Sequence, residues 1–170
     1  MNVVLESYTQ NGVKLIADCA RITHEQTQEK PDEYYLYKLF KLGHLSVFEH
    51  VSFSFKIEGI SRACAQQLTR HRLASYTMRS QRYVNEGGFE YYTPPSVKNN
   101  QNALDDYNAF MMRARSAYRE LIGAGATKED ARFVLPGACL TDLYMTVNFR
   151  ELIHISRLRM CDEAQAEIRE

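Results

Sequence analysis

The sequence carries no net charge, because 21 lysines and arginines balance 21 aspartates and glutamates among its 170 residues. The molecule therefore has no overall field that would draw it to nucleic acid or to an anionic membrane. We also recognise no signal peptide and no long apolar run. With 45% hydrophobic residues, these absences predict one soluble globular domain over residues 1–170, located in the cytoplasm.

The sequence also lacks any C-x-x-C pair, and its four cysteines are far apart. This pattern is typical of a cytoplasmic protein without disulfides. Free cysteine is most often a small buried apolar side chain, so we predict burial rather than a catalytic thiol. The prediction applies to Cys19, Cys64, Cys139 and Cys161.

The spacing of apolar residues predicts an α+β fold, a single domain with a mixed or antiparallel sheet packed against several helices and a long C-terminal helix. The clearest strand has Val51, Phe53, Phe55 and Ile57 on one face. Prolines stop another strand after its aromatic residues. The predicted strands are 1–8, 51–57 and 89–95, and the predicted helices include 13–22, 32–42 and about 103–122.

Several residues predict where helices begin and end. Gly43 ends the second helix, and Ser61 caps a helix that runs to about Arg70. Two capping boxes also mark helix starts. Thr127 with Asp130 begins a short helix, and Asn148 with Glu151 begins the last helix.

No acidic residue lies between Glu58 and Glu86, although five arginines do. The planar arginine fork matches phosphate in a bidentate way, so the cluster suits a phosphorylated ligand. Alternatively, these arginines form a solvated face or pair with acids elsewhere in the fold, and composition does not decide between the two. Gln67 and Arg70, three apart, are expected on one helix face. The five are Arg62, Arg70, Arg72, Arg79 and Arg82.

The string RHRLASYTMRSQR at 70–82 resembles the signature of the flavin-dependent thymidylate synthases, also called the thymidylate synthase-complementing protein family. The matching positions are Arg70, His71, Arg72, Ser80 and Arg82. The resemblance continues along nearly the whole chain, in the family's order, through CARIT, GHLSVFEH, ARFVLP, TVNFR and LRMCDEAQ.

This resemblance implies reductive methylation of dUMP to dTMP, with methylenetetrahydrofolate as carbon donor, NADPH as reductant and FAD as hydride carrier, without a metal. It also implies a homotetramer with active sites shared between subunits. The residues matching the family's dUMP site are Gln67, Arg70, Ser80, Gln81, Arg82, Arg132 and Arg159. Those matching its FAD site are Ser46, Arg70, His71, Arg72, Asn148, Arg150 and His154, with His44 close to the flavin.

The chemistry of four of these positions agrees with the roles that the resemblance implies. Arg150 and His154 share a face near the start of the last helix, which suits an anionic or polar cofactor group. Arg159 matches the family's catalytic arginine, which stabilises the ionised uracil and makes C5 nucleophilic. Ser80 is expected to bind phosphate or base rather than act as a nucleophile, because no base is evident near it in sequence.

The chain departs from the family pattern at two positions and near its end. Thr77 replaces a common asparagine, and Met78 stands where many members have an acidic or amide residue that contacts substrate. Only 11 residues follow Arg159, so the resemblance implies a short or a truncated member.

Two rival functions remain open at this stage. A nucleic-acid-binding module would use the arginines with Tyr76, Tyr83, Tyr91 and Tyr92, although the zero net charge counts against it. A metal-dependent phosphohydrolase would use histidines, but the pair at 44 and 50 lacks the spacing that places two ligands on one helix face. Its candidate ligands are His24, His44, His50, His71 and His154.

Overall fold

The computed structural model describes residues 1–24 and 30–169, and of His24, a rival metal ligand above, it describes only the backbone. The first half comprises β1 (Asn2–Tyr8), α1 (Gly12–His24), α2 (Asp32–Leu42), a 3₁₀ turn (Ser46–His50), β2 (Ser52–Ser61), α3 (Arg62–Leu68) and β3 (Ala74–Met78). The second half comprises α4 (Pro95–Lys98), α5 (Gln101–Gly123), α6 (Lys128–Ala131), a 3₁₀ turn (Arg132–Val134), β4 (Leu140–Asn148), α7 (Phe149–Arg159) and α8 (Ala166–Arg169).

The four strands form one antiparallel sheet in the order β1-β2-β4-β3. The predicted α+β class is confirmed. The central strand β4 alternates buried Leu143, Met145 and Val147 with outward-facing residues, as a strand with one covered face requires. Its inner face packs with residues of α3 and α7, including Ala65 and Ile155, in one apolar cluster. This packing brings α3, α7 and the two central strands together.

A second apolar cluster holds α1, α2 and the 3₁₀ turn 46–50 beside the start of α7. Ile16, Tyr35 and Phe48 are among its buried members, and Phe149 of α7 packs against it. The Phe48 and Phe149 rings lie 5.4 Å apart between centroids. The segment that contains His44 is thereby fixed next to the N-terminal turn of α7.

The predicted caps are present. Gly43 adopts a left-handed conformation, φ 74°, at the end of α2. Ser61 Oγ accepts the Cys64 N–H at 3.0 Å, and Asn148 Oδ1 accepts the Glu151 N–H at 2.9 Å. Thr127 Oγ1 likewise accepts the Asp130 N–H at 3.2 Å. A side-chain oxygen therefore satisfies one of the free N–H groups at the start of each of α3, α6 and α7.

The strands differ from the sequence predictions in three places. Both β3 and β4 were missed, although β4 shows clear alternation. The segment 89–95 is not a strand, because it makes a single bridge, Tyr91 to Cys139, before its prolines interrupt the pairing. The strand predicted at 51–57 begins at Ser52 and continues to Ser61, past an irregularity at Gly59, where φ is 69°.

The helices also differ. The helix after Ser61 ends at Leu68, so Arg70 lies beyond it and does not share a helix face with Gln67. The helical C-terminus is divided, since α7 ends at Arg159 and the four-residue α8 follows after a turn. Among residues 1–24 and 30–169, no helix has both the length and the apolar composition to cross a membrane.

Burial of the cysteines was predicted correctly for two of the four. Cys64 and Cys139 are buried, and burial raises the pKa of the Cys139 thiol to about 12, so it stays protonated. Cys161 is exposed and Cys19 is half-buried, so the prediction was wrong for Cys161. Cys161 lies beyond α7, outside the apolar clusters.

Candidate functional site

The turn that follows α3 is held from β3. Tyr76 Oη donates to the Leu68 carbonyl at 2.9 Å and lies 3.2 Å from the His71 carbonyl. Thr69 Oγ1 donates to the Ala65 carbonyl at 2.9 Å. These bonds satisfy carbonyls that the helix leaves free at its end. Burial raises the pKa of Tyr76 to about 12, so its hydroxyl remains a donor. The backbone that carries Arg70, His71 and Arg72 is therefore fixed.

His71 is at the centre of a hydrogen-bonded group that joins this turn to α7. Its ring is 6% exposed, and its Nε2 accepts a hydrogen bond from Arg159 Nε at 2.9 Å. On the other side of the ring, Nδ1 lies 3.5 Å from Glu151 Oε1. Arg159 Nη2 also lies 3.4 Å from the Gln67 carbonyl. Arg159 thus contacts both Gln67 and His71 within one chain, although Gln67 and Arg159 are 92 positions apart in the sequence.

The pKa of His71 is lowered from its ordinary value, first by burial and then by the Arg159 guanidinium. The arginine responsible is Arg159 of α7, whereas Arg70 and Arg72 are exposed. His71 is accordingly a neutral imidazole, which can accept at one nitrogen and donate at the other.

His71, Glu151 and His154 also have the composition of a metal site, because one ligand atom from each lies within 4.8 Å of the others. The His71 and His154 rings are 6.0 Å apart between centroids. The Nε2 atom of His71, however, already accepts from Arg159, whose permanent positive charge lies beside the group. The arrangement therefore favours a hydrogen-bond network rather than a bound cation.

Two adjoining cavities open beside this group. The larger, about 550 Å³, is lined by Asn148, Arg150 and His154 together with apolar Leu45, Leu73 and Ile153. The other, about 430 Å³, is lined by His44, Ser46 and again Leu45 and Arg150. Five of the eight residues that match the family's flavin site or lie close to it therefore line one or both of these cavities, which share Leu45 and Arg150. Arg150 stands between the two cavities, with Nη1 2.5 Å from Glu49 Oε1.

A second group lies after the other end of β3. Arg82 forms a two-pronged ion pair with Glu129, with Nε–Oε1 at 2.9 Å and Nη2–Oε2 at 3.0 Å. Arg132 Nε donates to the Glu129 carbonyl at 3.1 Å. Ser80 Oγ accepts the Arg82 N–H at 3.2 Å, and the half-buried Gln81 lies between them. Four of the residues that match the family's dUMP site are thus collected here.

The two groups lie at opposite ends of β3. The pairing of Ala74 with Val147 places the first near the end of β4, whereas that of Met78 with Leu143 places the second near its start. Four residue steps along a strand span roughly 14 Å. Within one chain, the residues that match the dUMP site are therefore divided between two places: Gln67, Arg70 and Arg159 in one, and Ser80, Gln81, Arg82 and Arg132 in the other.

The structure resolves the arginine cluster into paired and unpaired members. Arg79 pairs with the buried Glu86 at 3.3 Å and Arg82 with Glu129, while Arg62 donates to the Arg79 carbonyl at 2.6 Å. Pairing with acids elsewhere, the alternative reading, is thus correct for Arg79 and Arg82. Within the described part of the chain, no ion-pair partner faces the exposed Arg70 or Arg72, both of which match the family's flavin site.

Sequence reasoning missed the acids of the site. Glu49, Glu129 and Glu151 contact Arg150, Arg82 and His71 respectively. The sequence pattern assigns Glu151 only to a capping box, whereas in the structure its carboxylate faces His71. The sequence did offer one signal for these acids. Each lies in a helix or helical turn, close in sequence to a residue that was predicted to bind a ligand. Which arginine or histidine each acid meets depends on contacts distant in sequence.

Comparison with known proteins gives a consistent result. Residues 4–170 match the family model described as thymidylate synthase complementing protein. A flavin-dependent thymidylate synthase of Pyrococcus furiosus is 39% identical over 100% of this chain and 75% of the relative. The enzyme of the same name from Geobacter sulfurreducens is 42% identical over 99% of this chain and 78% of its own length. That from Clostridium tetani is 35% identical, again over 99% of this chain and 78% of its own.

Proposed function

Since the chain belongs to the thymidylate synthase complementing protein family and is a flavin-dependent thymidylate synthase, we propose that it methylates dUMP reductively to dTMP. The carbon donor is methylenetetrahydrofolate, the reductant is NADPH and the flavin is FAD. No step requires a metal ion, and the proposed compartment is the cytoplasm. The observation that carries the proposal is the hydrogen-bonded group of Gln67, His71 and Arg159 beside the two adjoining cavities.

The cavities fit a flavin nucleotide in their chemistry. Leu45, Leu73 and Ile153 offer apolar surface for a ring system, and Arg150 offers a cation for phosphate at the start of α7. When bound there, FAD would supply hydride transfer. The residues proposed to hold it are Ser46, Asn148, Arg150 and His154, which line the cavities with His44, together with Arg70, His71 and Arg72 of the turn after α3.

Arg159 is the proposed catalytic residue. A guanidinium has five N–H donors; one is held by His71 and one points to the Gln67 carbonyl, which leaves three for a ligand. A fixed cation beside the N3 and O2 side of uracil stabilises negative charge on the ring and makes C5 nucleophilic. Gln67, whose side chain contacts Gln165, is proposed to read the base edge with it.

The second group is proposed to bind the dUMP phosphate through Ser80, Gln81, Arg82 and Arg132. The Arg82–Glu129 pair is about half exposed, at 50% and 46% of the two side chains. Exposed ion pairs contribute little, about 0–1 kcal/mol, so a doubly charged phosphate competes well with Glu129. Because β3 separates this group from Arg159, we propose that each active site combines the two groups from different subunits of a homotetramer.

The direct test is to incubate the purified protein with dUMP, methylenetetrahydrofolate, NADPH and FAD and to measure dTMP by chromatography. We expect dTMP in the complete mixture and none when any one component is omitted. The purified protein should also show flavin absorbance after FAD is added and excess is removed. Absence of dTMP from the complete mixture, with the protein folded and flavin bound, contradicts the proposal.

A hybrid experiment tests the shared site. Arg159→Ala and Arg82→Ala chains are each expected to be nearly inactive, the second through weakened dUMP binding with FAD still bound. When the two variants are co-refolded in equal amounts, roughly a quarter of the sites should combine two intact groups. Activity should then rise well above that of either variant alone. If each site came from one chain, no hybrid would regain activity.

A further inference from the structure

We propose that Glu151 is a positioning residue for the proposed reaction: its carboxylate sets the tautomer of His71, and His71 in turn orients the Arg159 guanidinium. The inference rests on the proposed function for Arg159. Glu151 lines the larger cavity but matches none of the residues assigned to dUMP or FAD, and it acts through the two side chains in series.

The hydrogen-bond directions around His71 carry the first step. Arg159 Nε can only donate, and it lies 2.9 Å from His71 Nε2. That nitrogen must therefore be an acceptor without a proton. A neutral imidazole then carries its single proton on Nδ1, the atom that faces Glu151 Oε1 at 3.5 Å. The carboxylate is thus on the side of the ring that needs an acceptor.

The burial of the pair carries the second step. His71 and Glu151 are each 6% exposed, so water does not readily replace either partner. The charged or titratable side chains that act on His71 are Glu151, Arg159 and His154, all on α7. Of these three side chains, only Glu151 can accept a hydrogen bond when it is charged, because charged arginine and histidine have donors alone. A buried ring whose donor faces a carboxylate is held in one tautomer, as when histidine ligands are oriented by a second residue.

The tautomer of His71 affects Arg159 because the other tautomer, with the proton on Nε2, cannot accept a hydrogen bond from the Arg159 guanidinium. With a proton on Nε2, His71 would present a donor to the Arg159 Nε–H, and the 2.9 Å contact would be lost. Arg159 would retain only its longer contact, 3.4 Å, to the Gln67 carbonyl. The guanidinium would then be free to turn away from the position in which its three remaining donors meet the uracil.

The test compares the wild-type protein with Glu151→Gln, an isosteric change that removes the charge and adds an N–H donor beside Nδ1. Nitrogen NMR of the ligand-free protein reports the His71 tautomer, with the His71→Asn variant to assign the signals. We expect the Nδ1–H form in the wild type and its loss in Glu151→Gln. A wild-type Nε2–H form overturns the proposal without any variant, and so does an unchanged tautomer in Glu151→Gln.

Kinetics provide the second arm. In Glu151→Gln we expect kcat for dTMP formation to fall roughly tenfold to a hundredfold, as small misplacements of catalytic groups do, with a smaller change in KM for dUMP. Ser156→Ala is the matched control on α7, since it removes only a hydrogen bond to the Leu152 carbonyl. It should leave both tautomer and kcat unchanged. A changed tautomer with wild-type kcat overturns the link to catalysis.

The two arms separate this inference from the proposed function. If the wild-type protein makes no dTMP, the proposed function fails, whereas the NMR experiment still tests whether Glu151 sets the His71 tautomer. If the wild-type protein does make dTMP and Glu151→Gln keeps both kcat and the Nδ1–H form, only the inference about Glu151 fails.

Discussion

Glu151 and Glu167 are both buried, at 6% and 2% exposed, but their carboxylates are bonded very differently. Glu167 accepts the Ser61 N–H at 2.6 Å and the Ser61 hydroxyl at 2.5 Å, which ties α8 to the start of α3. In the described part of the chain, Glu151 has one ion-pair partner, the His71 imidazole at 3.5 Å. A carboxylate with both oxygens bonded to the chain fixes the fold, whereas one that faces a titratable ring beside a cavity can act on the site.

Arg159→Ala should give the largest effect, because it removes the guanidinium that Glu151 is proposed to orient through His71. We expect kcat to fall by about 10²–10³-fold, the usual loss when a preorganised group that stabilises developing charge is removed. FAD should remain bound, since the cavity lined by Arg150 and His154 is unchanged. Steady-state kinetics and flavin absorbance after gel filtration measure the two quantities. Wild-type turnover would exclude Arg159 from the mechanism.

Glu167→Gln should affect stability rather than turnover. It replaces a charged acceptor by a neutral amide against a buried N–H and a buried hydroxyl, and we expect a loss of about 2 kcal/mol in the free energy of unfolding. The same change at Glu151 should cost less, because its contact is longer. Urea titrations of the two variants measure the difference. A larger loss of stability for Glu151→Gln, or a lower kcat per folded molecule for Glu167→Gln, would reverse the comparison.

The smallest expected effect is a dependence of folding stability on pH, and it arises from His71, the partner of Glu151. The pKa of His71 is lowered in the folded protein, from an ordinary value of 6.5, so below that pH the unfolded chain binds more protons. Stability should therefore fall as the pH drops from 6.5 toward the folded pKa, by at most about 1.4 kcal/mol per pH unit. Urea unfolding of the wild type and of His71→Asn between about pH 5 and 7 measures it. Equal pH dependence in both proteins would contradict the assignment.

Local signals in the sequence predicted much of the fold. Gly43, Ser61 and Asn148 end or begin helices because their conformational freedom or side-chain oxygens act within a few residues. The 89–95 segment was misread because its aromatic residues have high strand propensity, although it makes only one bridge. Propensity does not report whether a neighbouring strand is available to pair.

The binding residues were predicted in a different way from the fold. Composition and charge alone left the arginine cluster undecided, and the spacing of the 70–82 motif pointed to the family that the comparisons then identified. The expected common helix face of Gln67 and Arg70 was wrong, because Thr69 and Tyr76 end α3 early. The dUMP and FAD roles of the individual residues remain predictions that the variants above test.

The sequence by itself determined the family, the α+β class and the helix caps, since each depends on residue identity or on spacing within a short stretch. Only the tertiary structure decided that Arg82 pairs with Glu129 while Arg70 has no ion-pair partner within the described residues. It also decided that Glu151, His71 and Arg159 lie in series. These contacts join residues 47 to 88 positions apart. Packing of α3 and α7 on the sheet brings the Glu151, His71 and Arg159 group together, and no local pattern in the sequence records such long-range contacts.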